Sequence, residues 1–107
     1  MARISTIRNL GPAMEDAFAR AGITSAEALR ELGTDASYAR LLASGSRPHF
    51  IAYYVIEMGL QGRPWNDCRG KEKDSLRARF DALVAEHYDK GLGDLERVLD
   101  EIGVIRT

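Results

Sequence analysis

The sequence predicts an all-α fold, a single domain over residues 1–107 built as a compact bundle of about five to six helices. Three observations carry this expectation. Apolar residues recur at three- and four-residue spacing along most of the chain. Glycines stand at nearly regular intervals between those stretches, where helices end. Two-residue alternation bounded by hairpin turns, the mark of a half-buried strand, is absent.

The elements follow in order. Asn9-Leu10-Gly11-Pro12 reads as a turn that opens a helix, since Pro12 suits a first helical position where its missing N–H is no loss. Met14, Ala17, Phe18 and Ala21 keep the helical period, and Gly22 closes the helix. Thr24 with Glu27 predicts a capping box for a second helix, with Ala28, Leu29 and Leu32 on its apolar face and Gly33 as its stop. Thr34 or Asp35 is expected to cap a third helix holding Tyr38, Leu41 and Leu42, before Gly45 and Ser46 break the pattern.

Pro48 is expected to start a fourth helix. Phe50, Ile51, Tyr53, Tyr54, Val55, Ile56, Met58 and Leu60 cover nearly all its sides, which predicts a central, buried helix. Gly62-Arg63-Pro64 forces a turn, and Trp65 behind it is expected to pack on that helix and anchor the turn. Lys71 to about Lys90 reads as one long amphipathic helix, with Leu76, Phe80, Leu83, Val84 and His87 on a stripe, ended by Gly91-Leu92-Gly93. Leu95, Val98, Leu99 and Ile102 mark a last helix before a frayed tail from Gly103 to Thr107. With Leu92, that stripe either completes the core or pairs with another chain.

Composition narrows function. An apolar fraction of 45% and a charged fraction of 29% are ordinary for a globular chain and argue against disorder. The formal net charge of −1 leaves no global basic field to draw in nucleic acid, so any such contact rests on a local patch. Residues 1–70 hold eight Lys/Arg and seven Asp/Glu, whereas residues 71–107 hold seven and nine. The single cysteine, Cys68, forbids an internal disulfide and suits a reducing compartment. No signal-peptide pattern opens the chain, and the longest nearly uncharged stretch, Pro48 to Gly62, falls short of the roughly 20 residues a membrane span needs. A soluble cytoplasmic protein with no membrane contact is expected.

Catalytic constellations are missing from the pattern. His49 and His87 lack Cys or carboxylates at metal-ligand spacing, so no metal or other cofactor is expected. Cys68 has no base defined by sequence, the serines lie in no nucleophile-elbow context, and no phosphate-binding glycine loop of P-loop or dinucleotide type occurs. The chain is read as no enzyme.

The informative unit is Ile7-Arg8-Asn9-Leu10-Gly11-Pro12 with the helix behind it. It looks like a helix-hairpin-helix turn, in which backbone N–H groups at a helix start take a nucleic-acid phosphate without reading bases. Asn9 stands where that motif has its first glycine, and asparagine tolerates a left-handed backbone. The same residues also serve a plain helix–helix connection, and both readings stay open. Arg8, Asn9, Gly11 and Pro12 are therefore candidate nucleic-acid contacts. Arg47, Arg63, Arg69 and Lys71 join them, with Lys73 nearby, provided the fold gathers these cations into one patch. Gly91-Leu92-Gly93 matches the hairpin spacing more literally, but Asp94, Glu96, Asp100 and Glu101 follow it and repel phosphate, so it reads as a turn.

Two blocks carry a family resemblance. Arg8-Asn9-Leu10-Gly11-Pro12, Ala21-Gly22-Ile23 and Leu32-Gly33 resemble the opening of the C-terminal domain of the TfoX (Sxy) competence regulators. Met58-Gly59-Leu60-Gln61-Gly62-Arg63-Pro64-Trp65-Asn66, with Lys71 and Leu76 after it, resembles that domain's second half. The resemblance runs over residues 4–80, with residues 81–107 as a helical extension, and reads as a stand-alone copy of that domain. It implies a compact helical module related to helix-hairpin-helix domains. It also implies a role in regulating natural competence, where such proteins work with a cyclic-AMP receptor protein at promoters. Two partners follow as expectations: DNA, held weakly and non-specifically, or a protein of the transcription machinery with no direct DNA contact. The oligomeric state stays open.

Overall fold

The computed structural model describes the backbone of residues 2–93 and the side chains of residues 2–88. Within them every regular element is helical: α1 (Pro12–Arg20), α2 (Ala26–Ala43), α3 (Phe50–Leu60) and α4 (Gly70–Leu83), with 3-10 turns at Ile4–Thr6 and Trp65–Asp67 and a π-helix over Val84–Gly93. The fold class is all-α, as expected, but the described α-helices number four rather than five or six. The second and third expected helices run together as α2, separated only by a kink at Gly33, whose φ of 82° and ψ of 174° leave the helical region. A β-carbon there is strained by the backbone itself, so the chain bends at its glycine and resumes. The last expected helix, with Leu95, Val98, Leu99 and Ile102, lies outside the described residues.

Local expectations fare unevenly. Pro12 opens α1 and Gly22 follows its end with a left-handed backbone, as the sequence indicates. The cap of α2 is Ser25, whose hydroxyl accepts the Ala28 N–H at 3.1 Å, not Thr24. Glu27 does not complete a capping box, because its carboxylate accepts the Ala2 N–H at 3.0 Å. α3 starts at Phe50, two residues later than Pro48 suggests. His49 is its cap and accepts the Ala52 N–H through Nδ1. The expected single helix from Lys71 to Lys90 changes character at Val84, where the wider π-helix begins and runs to Gly93, the last residue whose backbone is described.

The core sits where α2, α3 and α4 meet. Phe18, Leu29, Leu42, Tyr53, Ile56 and Met58 are fully buried. Tyr53 packs edge-on against Tyr38 with ring centroids 5.3 Å apart, and Phe80 of α4 lies 5.8 Å from each of them. Such tilted aromatic contacts add about 0.5–1.5 kcal/mol per pair beyond area burial. A polar clamp closes over this cluster. The Tyr53 hydroxyl donates to Asp35 at 2.5 Å, and Arg79 reaches Asp35 at 2.7 Å and Glu57 at 3.4 Å. Asp35 thus joins three helices rather than capping one. Burial opposes its charge, but Arg79 and Tyr53 outweigh that and hold the carboxyl below its ordinary range. Burial, with Asp35 beside it, pushes the Tyr53 hydroxyl well above the ordinary tyrosine value.

α3 is not buried all round. Tyr53, Tyr54, Ile56 and Met58 face inward, whereas Ile51 is half exposed. The expectation of a fully enclosed helix fails because the layer that would cover Ile51 is absent from the described residues. No described helix is long and apolar enough to cross a membrane.

Candidate nucleic-acid interface

The hairpin is held from beneath by apolar anchors. Ile4, Ile7 and Leu10 are buried, and the Leu10 N–H donates to the Ile7 carbonyl at 3.1 Å to close the turn. Asn9 adopts φ of 73°, the left-handed conformation expected of it. Its side chain does a second job that the sequence does not advertise. Nδ2 donates to the Arg63 carbonyl at 2.9 Å and lies 3.4 Å from the Val55 carbonyl. One residue earlier, the Arg8 carbonyl rests directly on Gly59 of α3, where an added β-carbon has no room. The hairpin is therefore bolted to the C-terminal half of α3.

The start of α1 is left open. Gly11 is its cap residue and supplies no side chain, and the first main-chain bond runs from the Glu15 N–H to the Gly11 carbonyl at 3.0 Å. Pro12 has no N–H, so the Ala13 and Met14 N–H groups have no protein acceptor among the described residues. Glu15, the acid of the first turn, does not cap this opening. Its carboxylate takes the Arg3 guanidinium at 2.8 Å and the Ser5 N–H at 3.1 Å. Hydrogen bonding from Arg3, then from the Ser5 backbone, holds its pKa at about 2, so it stays ionised and internally neutralised. Arg8 is exposed beside the opening. The element before the hairpin is only the 3-10 turn Ile4–Thr6, so the unit is a hairpin and one helix rather than a full helix-hairpin-helix.

The fold sorts the expected cations into separate places. Arg63 is committed internally: Nε donates to Asp67 at 2.7 Å, and its two terminal nitrogens grip Glu72 at 2.7 and 2.8 Å. This fork braces the turn after α3. Gly62, with φ of 74°, lets the chain double back, and the Arg63 N–H returns to the Met58 carbonyl at 2.8 Å. Arg69 and Lys71 are exposed at the start of α4 and enter no ion pair among the described residues. Arg47 precedes the N-terminal end of α3, while the hairpin sits on its other half; 11 residues of helix separate those ends. Lys73 lies over the Tyr54 ring at 5.2 Å. Arg8 belongs to the hairpin itself, Arg69 and Lys71 follow the turn that Asn9 holds, Arg63 is taken up by its own ion pairs, and Arg47 lies at the other end of α3.

Trp65 is the feature that sequence reasoning misplaced. It is 50% exposed rather than buried, although its turn lies beside α3. The turn needs no aromatic anchor because Arg63, Asp67, Glu72 and Asn9 already hold it. A signal was present: Asp67 and Glu72 stand four and nine residues from Arg63, within reach of one guanidinium fork. Cys68 is buried, and burial raises its thiol pKa, which leaves it protonated. Among the described residues, no group of three or more His, Cys, Asp or Glu is placed to hold a metal ion. A groove between α3 and α4 is lined by Phe50, Ile51, Arg77, Phe80 and Val84.

Comparison with known families bears on this arrangement. The family model described as the TfoX C-terminal domain matches residues 1–80. The chain belongs to the TfoX C-terminal domain family. No curated protein and no solved structure matches it. The match contains the whole hairpin, the turn bearing Trp65 and the clamp around Asp35, and it ends at Phe80, just before α4 gives way to the π-helix. Membership suggests a regulatory module.

Proposed function

We propose that this TfoX C-terminal domain is a non-enzymatic regulatory module that contacts the nucleic-acid backbone weakly and without reading sequence. One observation carries the reading: an uncapped helix start, preceded by a rigid left-handed hairpin and flanked by an exposed arginine. The Ala13 and Met14 N–H groups present donors and the positive end of the α1 dipole to an incoming phosphate. Gly11 leaves room above them, since nothing lies within 4 Å of where its β-carbon would stand. Asn9 acts as a positioning residue, because its side chain faces inward, and Pro12 sets the entry angle of the helix. Arg8, Arg69 and Lys71 supply the charge. Few side chains at the hairpin can read base edges, so the contact positions and does not specify.

The test is a salt series on duplex DNA. Each neutralised phosphate contributes about 0.9 to the slope of log affinity against log salt, so three cations give a slope of about −3. Arg8→Ala should lower its magnitude by about one unit. No association with duplex or single-stranded DNA at low salt overturns the reading.

A second reading, a module for a protein partner, is favoured by a different observation. Ile51 is half exposed beside Phe50, Phe80 and Val84, an apolar face on a chain whose net charge is −1. A partner of the transcription machinery seated there needs no DNA contact. Ile51→Asp separates the two, since it should abolish protein association and leave the salt-dependent DNA binding untouched.

A further inference from the structure

The turn between α3 and α4 holds an exposed tryptophan on an unusually well-braced backbone. Three constraints converge on it. The Arg63 N–H is bonded to the Met58 carbonyl at 2.8 Å, the Arg63 carbonyl receives Asn9 Nδ2 at 2.9 Å, and the Arg63 guanidinium ties Asp67 to Glu72. Trp65 follows two residues later, opens the 3-10 turn Trp65–Asp67, and keeps half its surface in solvent. A folded chain gains nothing by exposing its only tryptophan, whereas a rigid, half-exposed indole loses little entropy on meeting a ligand.

Charge selects the kind of ligand. From Gln61 to Lys73 the chain carries Arg63, Arg69, Lys71 and Lys73 against Asp67 and Glu72. Arg63 ties both acids to itself and offsets one of their two charges, and with Arg69, Lys71 and Lys73 the segment around Trp65 keeps a positive excess of two. An aromatic face among unpaired cations suits a chain that is anionic along its backbone and flat along its side groups. The Asn9–Arg63 bond also places the hairpin cradle against this same turn.

We propose that the Trp65 turn makes unpaired nucleotides the preferred ligand of this surface: a single strand lays its phosphates on Arg69, Lys71 and the hairpin while one base stacks on the Trp65 indole. The inference rests on the phosphate-contact reading above and deepens it by naming the form of the nucleic acid. Duplex DNA keeps its bases stacked on one another and offers the indole no face, so it uses only the backbone contacts.

Because Trp65 is the only tryptophan, its emission reports the contact directly in the full chain. The probes are a short oligothymidylate and a duplex of equal length, titrated at low salt. The expected result is saturable quenching by the single strand and an affinity for it about tenfold above that for the duplex, within the range that stacking one base supplies. Trp65→Ala should bring the two affinities together and leave duplex binding unchanged, while Trp65→Phe should retain part of the preference. Equal affinities with no quenching overturn this inference and leave the phosphate reading standing. Failure of both probes to bind overturns both. A concentration-dependent blue shift of the free protein's emission also overturns it, since Trp65 is then covered by a second copy of the chain.

Discussion

The Asn9 side chain donates to the Arg63 carbonyl at 2.9 Å, across 54 positions of sequence, and so locks the N-terminal hairpin to the turn after α3. Both partners stand at left-handed turns, Asn9 in its own and Arg63 directly after Gly62. The bond makes one rigid surface from two segments that sequence reasoning treats separately. Asn9→Gly keeps the left-handed backbone and removes the bond, which should cost about 1 kcal/mol. Asn9→Ala removes the bond and strains the backbone, for about 2 kcal/mol in all. Chemical denaturation of the two variants checks this. An alanine variant more stable than the glycine variant contradicts the left-handed assignment.

The contact between Gly59 and the Arg8 carbonyl gives a sharper contrast. A β-carbon on Gly59 would meet that backbone oxygen at a distance real β-carbons do not adopt, and neither helix nor hairpin can yield locally. Gly59→Ala should destabilise by about 3 kcal/mol, the upper end for overpacking. Gly11→Ala meets nothing and has an extended φ of −120°, so its stability should stay within about 0.5 kcal/mol of the parent. Thermal unfolding of both proteins separates a glycine kept for packing from one whose removal leaves the fold intact.

Trp65 tests the correction to the core. A buried tryptophan cut to alanine costs about 3–5 kcal/mol. Half exposed, Trp65→Ala should cost about 1 kcal/mol or less. An emission maximum characteristic of a solvated indole in the free protein is the accompanying spectroscopic outcome. A loss in the full buried range returns the ring to the core and removes the stacking surface with it.

Acid stability should carry the mark of Glu15. Its folded pKa of about 2 lies below the ordinary glutamate value of 4.5, so the unfolded chain binds the extra proton first as pH falls. The stabilisation by Arg3 and Ser5 is therefore complete above 4.5 and is lost as pH drops from there to about 2. Glu15→Gln should lower the denaturation midpoint above pH 4.5, with the difference from the parent closing as pH falls towards 2, so the variant's acid slope is flatter. A variant with the same acid slope as the parent contradicts the assignment.

Much of this fold was legible from local chemistry, and the misses share a cause. Gly22, Gly33 and Gly62 stand where the backbone turns, Pro12 opens α1, and Asn9 takes the left-handed conformation, because each of these depends on one residue's own steric limits. The cap of α2 is Ser25, one residue beyond the Thr24 that the sequence favours, since both offer the same hydroxyl and only the backbone path decides which one meets the Ala28 N–H. Glu27 looked like half of a capping box and instead holds the Ala2 N–H, a partner 25 positions away.

What the sequence determined by itself is the helical class, the order of the turns and the apolar residues of the core, because periodicity and steric preference act over a few residues. Only the tertiary structure decided which charges are spent and which are left over. Arg63, Arg69 and Lys71 look alike as residues in a row, yet Arg63 is consumed by Asp67 and Glu72 while Arg69 and Lys71 face solvent. The same holds for Trp65 and Ile51, whose hydrophobicity predicts burial but whose exposure follows from what the other elements cover. Burial and ion pairing are properties of neighbours distant along the chain, and the candidate interface consists of the residues those neighbours leave unused.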